Sequence, residues 1–459
     1  MTDAADLSLL DAARELAAGR LSSAELTDAC LRRIEQRNGG TPTFDGAPDR
    51  INAWIRLYPE LAREHAQAAD ERRAREGDAT PLVCGLPIGL KDLYAVAGLP
   101  LTASSRVLDG NVASEDSTAW RRLHDRGMVL LGHTHTHEFA AGGTTDQSGN
   151  PWALDRIVGG SSGGSAAALA ARMTPAALGS DTCGSLRIPS AVCGTSTIKP
   201  THGRIPLDGV VPLAASLDHP GPMARTVADC AALLVALGND YALPLAARAG
   251  TSPLDGVTVA LTDRVNQIPL DTEVARGFDE AVRACRALGA RVVELPAPWT
   301  LDWDDLSLVL MTEAWSYHRA HADRHDRYRE QVAEFVEAAR NFTDEQAYRA
   351  AQERRAAGAA EWEDWFTREG VDVLIEPTLP ILPLERGPGY ERGHPAGPGD
   401  PLIAFTAMWD MTGMPVASLP VTWCVGVSLV APRGREAPLA QAAIDLQEHA
   451  LGIPGDPLA

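Results

Sequence analysis

Residues 81–98, PLVCGLPIGLKDLYAVAG, are short, apolar and punctuated by Gly and Pro, a pattern that predicts strands and tight turns. STAWRRLHDRG (117–127) then reads as a helix ending at a Gly stop, and MVLLGHTHTH returns to strand. The same alternation resumes beyond residue 225. GVTVALT (256–262), ARVVEL (290–295) and VDVLIEPTLP (371–380) read as strands, and 311–368 as a long, charged helical stretch. A chain that alternates in this way buries helices against sheet, so the expected fold is layered α/β with a mostly parallel sheet. The N-terminal part, 1–77, reads as helical, with a break at Gly19, a cap at Ser22 or Ser23 backed by Glu25, and an end at Gly77. Residues 81–230 form the expected catalytic core, and 385–401, rich in Gly and Pro, a mobile surface stretch. With no repeat or long linker, the 459 residues are expected to form one domain.

Asp and Glu number 61 against 41 Lys and Arg, a net charge of −20. Such a surface repels phosphate backbones, so nucleic acid is not an expected partner. No apolar run approaches the length that spans a bilayer, and no membrane partner is expected. The seven cysteines are scattered without a CxxC pair, which fits reduced thiols in a cytoplasmic protein.

Two Gly/Ser loops and one lysine carry the chemistry. GGSSGG (159–164) precedes DTCGS (181–185), and Lys91 lies in the apolar GLPIGLKD (85–92). An ammonium among Leu, Pro and Ile is costly. It either snorkels or pairs with Asp92, or it loses its proton and becomes a base for a serine hydroxyl. Neither loop alone is specific; a glycine-rich turn also suits a phosphate nest, although no Gly-Lys-Ser/Thr follows to make a P-loop.

Together and in this order the three segments closely resemble the amidase signature family of Ser–cis-Ser–Lys hydrolases. The family pattern Gly-Gly-Ser-Ser-Gly-Gly, then Asp-x-Gly-Gly-Ser-(Ile/Leu)-Arg-x-Pro, is matched by GGSSGGSAAALAARMTPAALGSDTCGSLRIPS, and Gly-x-Pro-x-x-x-Lys-Asp by GLPIGLKD. Fainter similarity in VDVLIEPTLP, TGMPVASLP and VGVSLVAPRG extends it over nearly the whole chain. The resemblance implies a large mixed, mostly parallel central sheet covered by helices on both faces. It implies Ser185 as nucleophile, Ser161 as bridging serine after a cis Gly160–Ser161 bond, and Lys91 as base. It implies an oxyanion hole from the backbone of Thr182, Cys183, Gly184 and Ser185, with Gly160, Ser162, Phe139 and Ala140 contacting substrate. No metal or organic cofactor is implied. Cys183 departs from the pattern, standing where the family carries Gly or Ala; as a nucleophile it would need its own base.

GHTHTHEF (132–139) raises a rival reading. His133, His135 and His137 would share one face of a strand and could ligate a metal, but no acidic or Cys partner stands at convincing spacing. In the family this stretch is a strand end without a metal role. The resemblance therefore implies a stand-alone amidase. It would hydrolyse a small-molecule carboxylic amide through a Ser185 acyl-enzyme, alone or as a homodimer. Two alternatives are a glutaminase subunit of a tRNA-dependent amidotransferase and a non-catalytic binding protein of the same fold. Substrate side chains are expected from 311–368 and the 377–411 loops, with Arg319 and Arg340 as candidate anchors for a substrate carboxylate.

Overall fold

The computed structural model describes residues 3–238, 252–387 and 399–459. Eleven strands form one sheet in the order β1-β3-β2-β4-β6-β5-β10-β11-β9-β7-β8. They are β1 (Trp54–Leu57), β2 (Pro87–Lys91), β3 (Val129–Thr134), β4 (Ala176–Asp181), β5 (Ser196–Lys199), β6 (His219–Ala224), β7 (Thr258–Thr262), β8 (Arg291–Leu295), β9 (Val373–Pro377), β10 (Val416–Pro420) and β11 (Gly426–Val430). The mixed α/β architecture is the expected one. Its parallel pairs are β3–β2, β2–β4, β9–β7 and β7–β8; the pairs between β4 and β9, and β1–β3, are antiparallel. The parallel share is therefore smaller than helix–strand alternation suggests, because the middle of the sheet is closed by hairpins and long returns that periodicity does not register. Most of the Gly/Pro-rich stretch 385–401 lies outside the described residues.

Interior strands such as PIGLK, VLLGHT and AALGSD are buried at every position, while β7, next to the edge, and the edge strands β1 and β8 are partly exposed. A strand covered on both faces needs apolar or small residues throughout, which is why these segments read as short apolar runs rather than alternating ones. One helix begins where the capping signal predicts. Ser22 accepts from the Glu25 N–H and Glu25 reaches back to the Ser22 N–H, forming a capping box for Ser23–Arg37. Ser117 accepts from the Trp120 N–H at the start of Thr118–Asp125.

One expectation is corrected and another refined. The N-terminal 1–77 is not wholly helical: WIRL forms β1 before the helix Pro59–Glu76 starts. Four residues are too few for helical and strand periods to differ. The stretch 311–368 is helical as expected but divided into segments: the end of Trp303–His318, a 3₁₀ segment Arg319–Arg327, Glu330–Ala339 and most of Glu345–Glu369.

The parallel register sets the site. Gly89 and Leu90 of β2 lie beside Ala177 and Leu178 of β4, and Lys91 beside Thr134 of β3. The carboxyl ends of three neighbouring strands thus open at one edge, where α/β sheets place their ligands. The helix Gly163–Ala170 (GGSAAALA) is buried at every residue, and a Cβ at Gly164 would press on the Ala53 carbonyl and the His135 backbone. Small residues there let the glycine loop lie against the sheet.

Gly132 of β3 faces Leu57 of β1, and an added Cβ would fall on the Arg56 carbonyl. Gly132→Ala is expected to cost about 1–3 kcal/mol by forcing the edge strand outward. Urea denaturation checks this; an unchanged midpoint would show that β1 yields freely.

Candidate active site

Lys91 ends β2 with 0% of its surface exposed. Its Nζ donates to Ser161 Oγ at 2.7 Å and to Ser180 Oγ at 2.9 Å. The Asp92 carboxylate takes no part. It accepts from the Thr102 hydroxyl (2.7 Å) and the Ser104 N–H (2.8 Å) and faces Arg56 at 3.4 Å. The alternatives of snorkelling and of pairing with Asp92 are thereby removed. Burial pulls the Lys91 amine down to about 7, against the opposing pull of Asp181 and Asp218. A lysine with that value exists in both forms at neutral pH.

Ser161 follows the Gly160–Ser161 cis peptide bond. Its carbonyl accepts from the His137 N–H (3.0 Å) and the Thr145 hydroxyl (3.0 Å), which fixes the glycine loop against the neighbouring chain. Ser185 lies on the turn after β4. Its carbonyl accepts from the Ser162 N–H at 3.3 Å, tying the two serine loops together. The Ser185 hydroxyl makes no hydrogen bond to Ser161 here and lines a pocket. Loose contacts of this kind are common in sites without substrate.

The turn carrying Ser185 is held from below by Asp181. This carboxylate accepts from the Gly184 N–H (2.5 Å), the Leu186 N–H (3.2 Å) and the Arg187 guanidinium (2.9 and 3.0 Å). Burial pushes its pKa up, but the charge and hydrogen bonds of Arg187 outweigh this and hold it at about 2. The Gly184 N–H is therefore committed to Asp181 and is not available to an oxyanion, unlike the expectation that all four residues 182–185 contribute. Cys183 also lines the pocket; burial raises its thiol well above the usual value.

The pocket over Ser185 encloses about 80 Å³ and is largely apolar, with Ile188, Leu213, Leu306, Leu310, Phe335 and Ile403 among its walls. Of the expected substrate contacts, Ala140 lines it. Phe139 instead packs edge-on against His318 (4.8 Å between ring centres) and beside Tyr328. The Ser162 hydroxyl is spent on the Ser180 backbone, and Gly160 is pressed against Thr144. Arg319 and Arg340 do not reach the pocket; Arg340 is paired with Glu337. Most of the expected 311–368 region lies elsewhere too, since Phe335 is its contribution and Leu306 and Leu310 precede it. Ser180 was not foreseen, because a lone serine inside an apolar strand carries no local signal. A wider concavity of about 1160 Å³, between Asp45 and Arg386, includes neither Lys91, Ser161 nor Ser185.

The histidines do not converge. β3 ends at Thr134, so the strand alternation stops before His135. His133 bonds to the Tyr58 hydroxyl and the Tyr94 carbonyl, and His135 to the Thr43 carbonyl and Asn52. Among the described residues no group of three or more His, Cys, Asp or Glu is arranged to hold a metal. Nor, among them, is any helix long and apolar enough to cross a membrane.

Comparison with known proteins fits this geometry. The sequence model of the Amidase family matches residues 25–439. The A-type subunit of glutamyl-tRNA(Gln) amidotransferase from Chromohalobacter salexigens is 35% identical over 96% of both chains. Its counterpart in Roseiflexus sp. is 40% identical over 65% of this chain and 62% of its own. Peptide amidase from Stenotrophomonas maltophilia superposes with a TM-score of 0.81 at 26% identity, covering 98% of both chains. The curated relatives correct the expectation of a stand-alone amidase that meets a small-molecule amide alone or as a homodimer, with no nucleic acid among its partners: they are subunits of amidotransferases named for a tRNA. Net charge speaks to direct contact with phosphates, not to assembly with a protein that makes such contact.

Replacing the buried amine tests its electrostatics. Below about pH 7 Lys91 is protonated folded and unfolded alike, and the native state bears the cost of burying it. Between about 7 and 10.5 the unfolded chain binds the extra proton, so wild-type stability rises with pH there. Relative to Lys91→Met, the wild type should gain stability from pH 6 to pH 9.5 in denaturant titrations. A pH-independent difference would place the amine's pKa near its ordinary value.

Proposed function

The chain belongs to the Amidase family and is an amidohydrolase, and we propose that it releases ammonia from glutamine as the A-type subunit of a tRNA-dependent amidotransferase. The observation that carries this reading is the 35% identity to such an A-type subunit over 96% of both chains.

The proposed chemistry uses Ser185 as nucleophile. Neutral Lys91 draws a proton from Ser161, whose Oγ it contacts at 2.7 Å, and Ser161 in turn takes the proton of Ser185 as substrate brings the two hydroxyls together. A Ser185 Oγ–C bond forms, and the oxyanion is met by the N–H groups of Thr182, Cys183 and Ser185. The relay returns its proton to the nitrogen, the C–N bond breaks, ammonia leaves, and water releases glutamate from the acyl-enzyme by the same steps. The raised thiol pKa keeps Cys183 protonated, which favours Ser185 in the attack. In the pocket, Ile188, Leu213 and Ile403 suit the substrate methylenes. Among the described residues lining the pocket, Asp400 is the charged one and matches an α-ammonium.

Ammonia release from glutamine, read by coupled reductive amination with the partner protein present, tests the proposal. Ser185→Ala should fall to background, and Lys91→Ala close to it. Ser161→Ala should lose on the order of 10²–10⁴ in kcat. The wild-type rate should rise as pH increases through about 7, where Lys91 loses its proton. Near wild-type turnover in Ser185→Ala would refute the nucleophile assignment. Inertness toward glutamine in an assembly that still cleaves another amide would refute the substrate.

A further inference from the structure

The mechanism gives no task to the buried carboxyl group of Asp410. Asp410, in the helix Ala407–Met411, is fully buried beside the nucleophile turn, more than two hundred residues away in sequence. Its Oδ2 accepts from Arg187 Nη2 at 2.5 Å. Its Oδ1 accepts no hydrogen bond and lies 3.4 Å from His219 Nδ1, whose nearest acceptor is the Leu217 carbonyl at 2.6 Å. A buried carboxyl group with one oxygen unsatisfied costs stability, so its presence calls for another reason.

We infer that Asp410 is a positioning residue: through Arg187 it holds Asp181, and with it the turn that presents Ser185 and the oxyanion donors. Arg187 is gripped on three sides. Its Nε and Nη2 meet Asp181, Nη2 also meets Asp410, and Nη1 donates to the Thr406 carbonyl at 2.9 Å. Asp181 passes this grip to the Gly184 and Leu186 N–H groups, one on each side of Ser185. The helix bearing Asp410 touches the turn directly as well. The Thr406 hydroxyl donates to the Cys183 carbonyl at 2.5 Å, and Gly184, at φ +138°, leaves no room for a Cβ against Thr406. A guanidinium with two carboxyl groups and a carbonyl around it has one place to sit; with Asp181 alone it can tilt, and the turn follows. Burial, and after it the neighbouring Asp181 carboxylate, keep the Asp410 pKa well above the ordinary value, while Arg187 and Lys199 pull it down. Lys199, whose amine burial pulls down to about 7, donates to the Pro200 and Met414 carbonyls beside this cluster.

The inference rests on Ser185 as nucleophile but not on glutamine as substrate, so its test uses a probe that needs no particular amide. A fluorophosphonate forms a P–O bond with Ser185 Oγ, fluoride leaves, and the hydroxyl proton passes to the relay. Labelling of the full chain is followed by intact mass. Asp410→Ala should slow the maximal labelling rate by about tenfold or more, with the half-saturating probe concentration little changed. Asp410→Asn keeps an acceptor for Arg187 and should recover most of the rate. Should Asp410→Ala not fold, Asp410→Ser, too short to reach Arg187, takes its place with the same outcomes. A wild-type maximal rate in Asp410→Ala or Asp410→Ser, or an Asn variant no faster than they are, would overturn the inference. Label persisting in Ser185→Ala would overturn the nucleophile reading instead.

Discussion

An ammonium group inside an apolar strand has few ways to exist, and the site is arranged around that restriction. Lys91 lies at the end of a strand buried on both faces, bonded to two hydroxyls and to no carboxylate. A contacting carboxylate would have made it a permanent cation. Two hydroxyls satisfy its hydrogen-bonding needs without fixing its charge, and burial brings it to about 7. The parallel register of β2 with β3 and β4 and the small residues of Gly163–Ala170 together keep water from the amine while leaving Ser161 against it.

The second electrostatic element works in the opposite sense. Asp181 and Arg187 are fully buried and bonded on every side, so their charges are held rather than adjustable. One strand end thus carries a group whose proton is free to move, and the neighbouring strand end a pair whose protons are not. The first suits proton transfer and the second suits holding a backbone turn. Their nearness follows from β2 and β4 being adjacent in the sheet.

Much of this was legible without coordinates. The apolar runs marked the interior strands, Ser22 or Ser23 marked a helix start, and Lys91, Ser161 and the 181–185 turn were singled out by residue type and order. Short elements were not legible, as β1 shows, because four residues do not define a period. Nor was the partner of Lys91: the adjacent Asp92 looks like a counter-ion on paper, yet its carboxylate is taken up by Thr102, Ser104 and Arg56. The alternating histidines suggested ligation, but the strand ends between them and each finds a separate partner. Assembly was misjudged for a different reason: total charge bears on which surfaces repel, and carries no record of which surface another protein covers.

By itself the sequence determined the α/β alternation, the placing of a lysine in an apolar strand and the two serine loops, because turns, caps and burial patterns are written in residues within a few positions of one another. Only the tertiary structure decided that Ser180 shares the amine and that the Gly184 N–H belongs to Asp181. It also decided that Ile188, Leu213, Leu306, Phe335 and Ile403 close over Ser185. Those choices depend on which distant segments the sheet order brings together, and side chains far apart in the chain acquire a common surface only once the packing is complete.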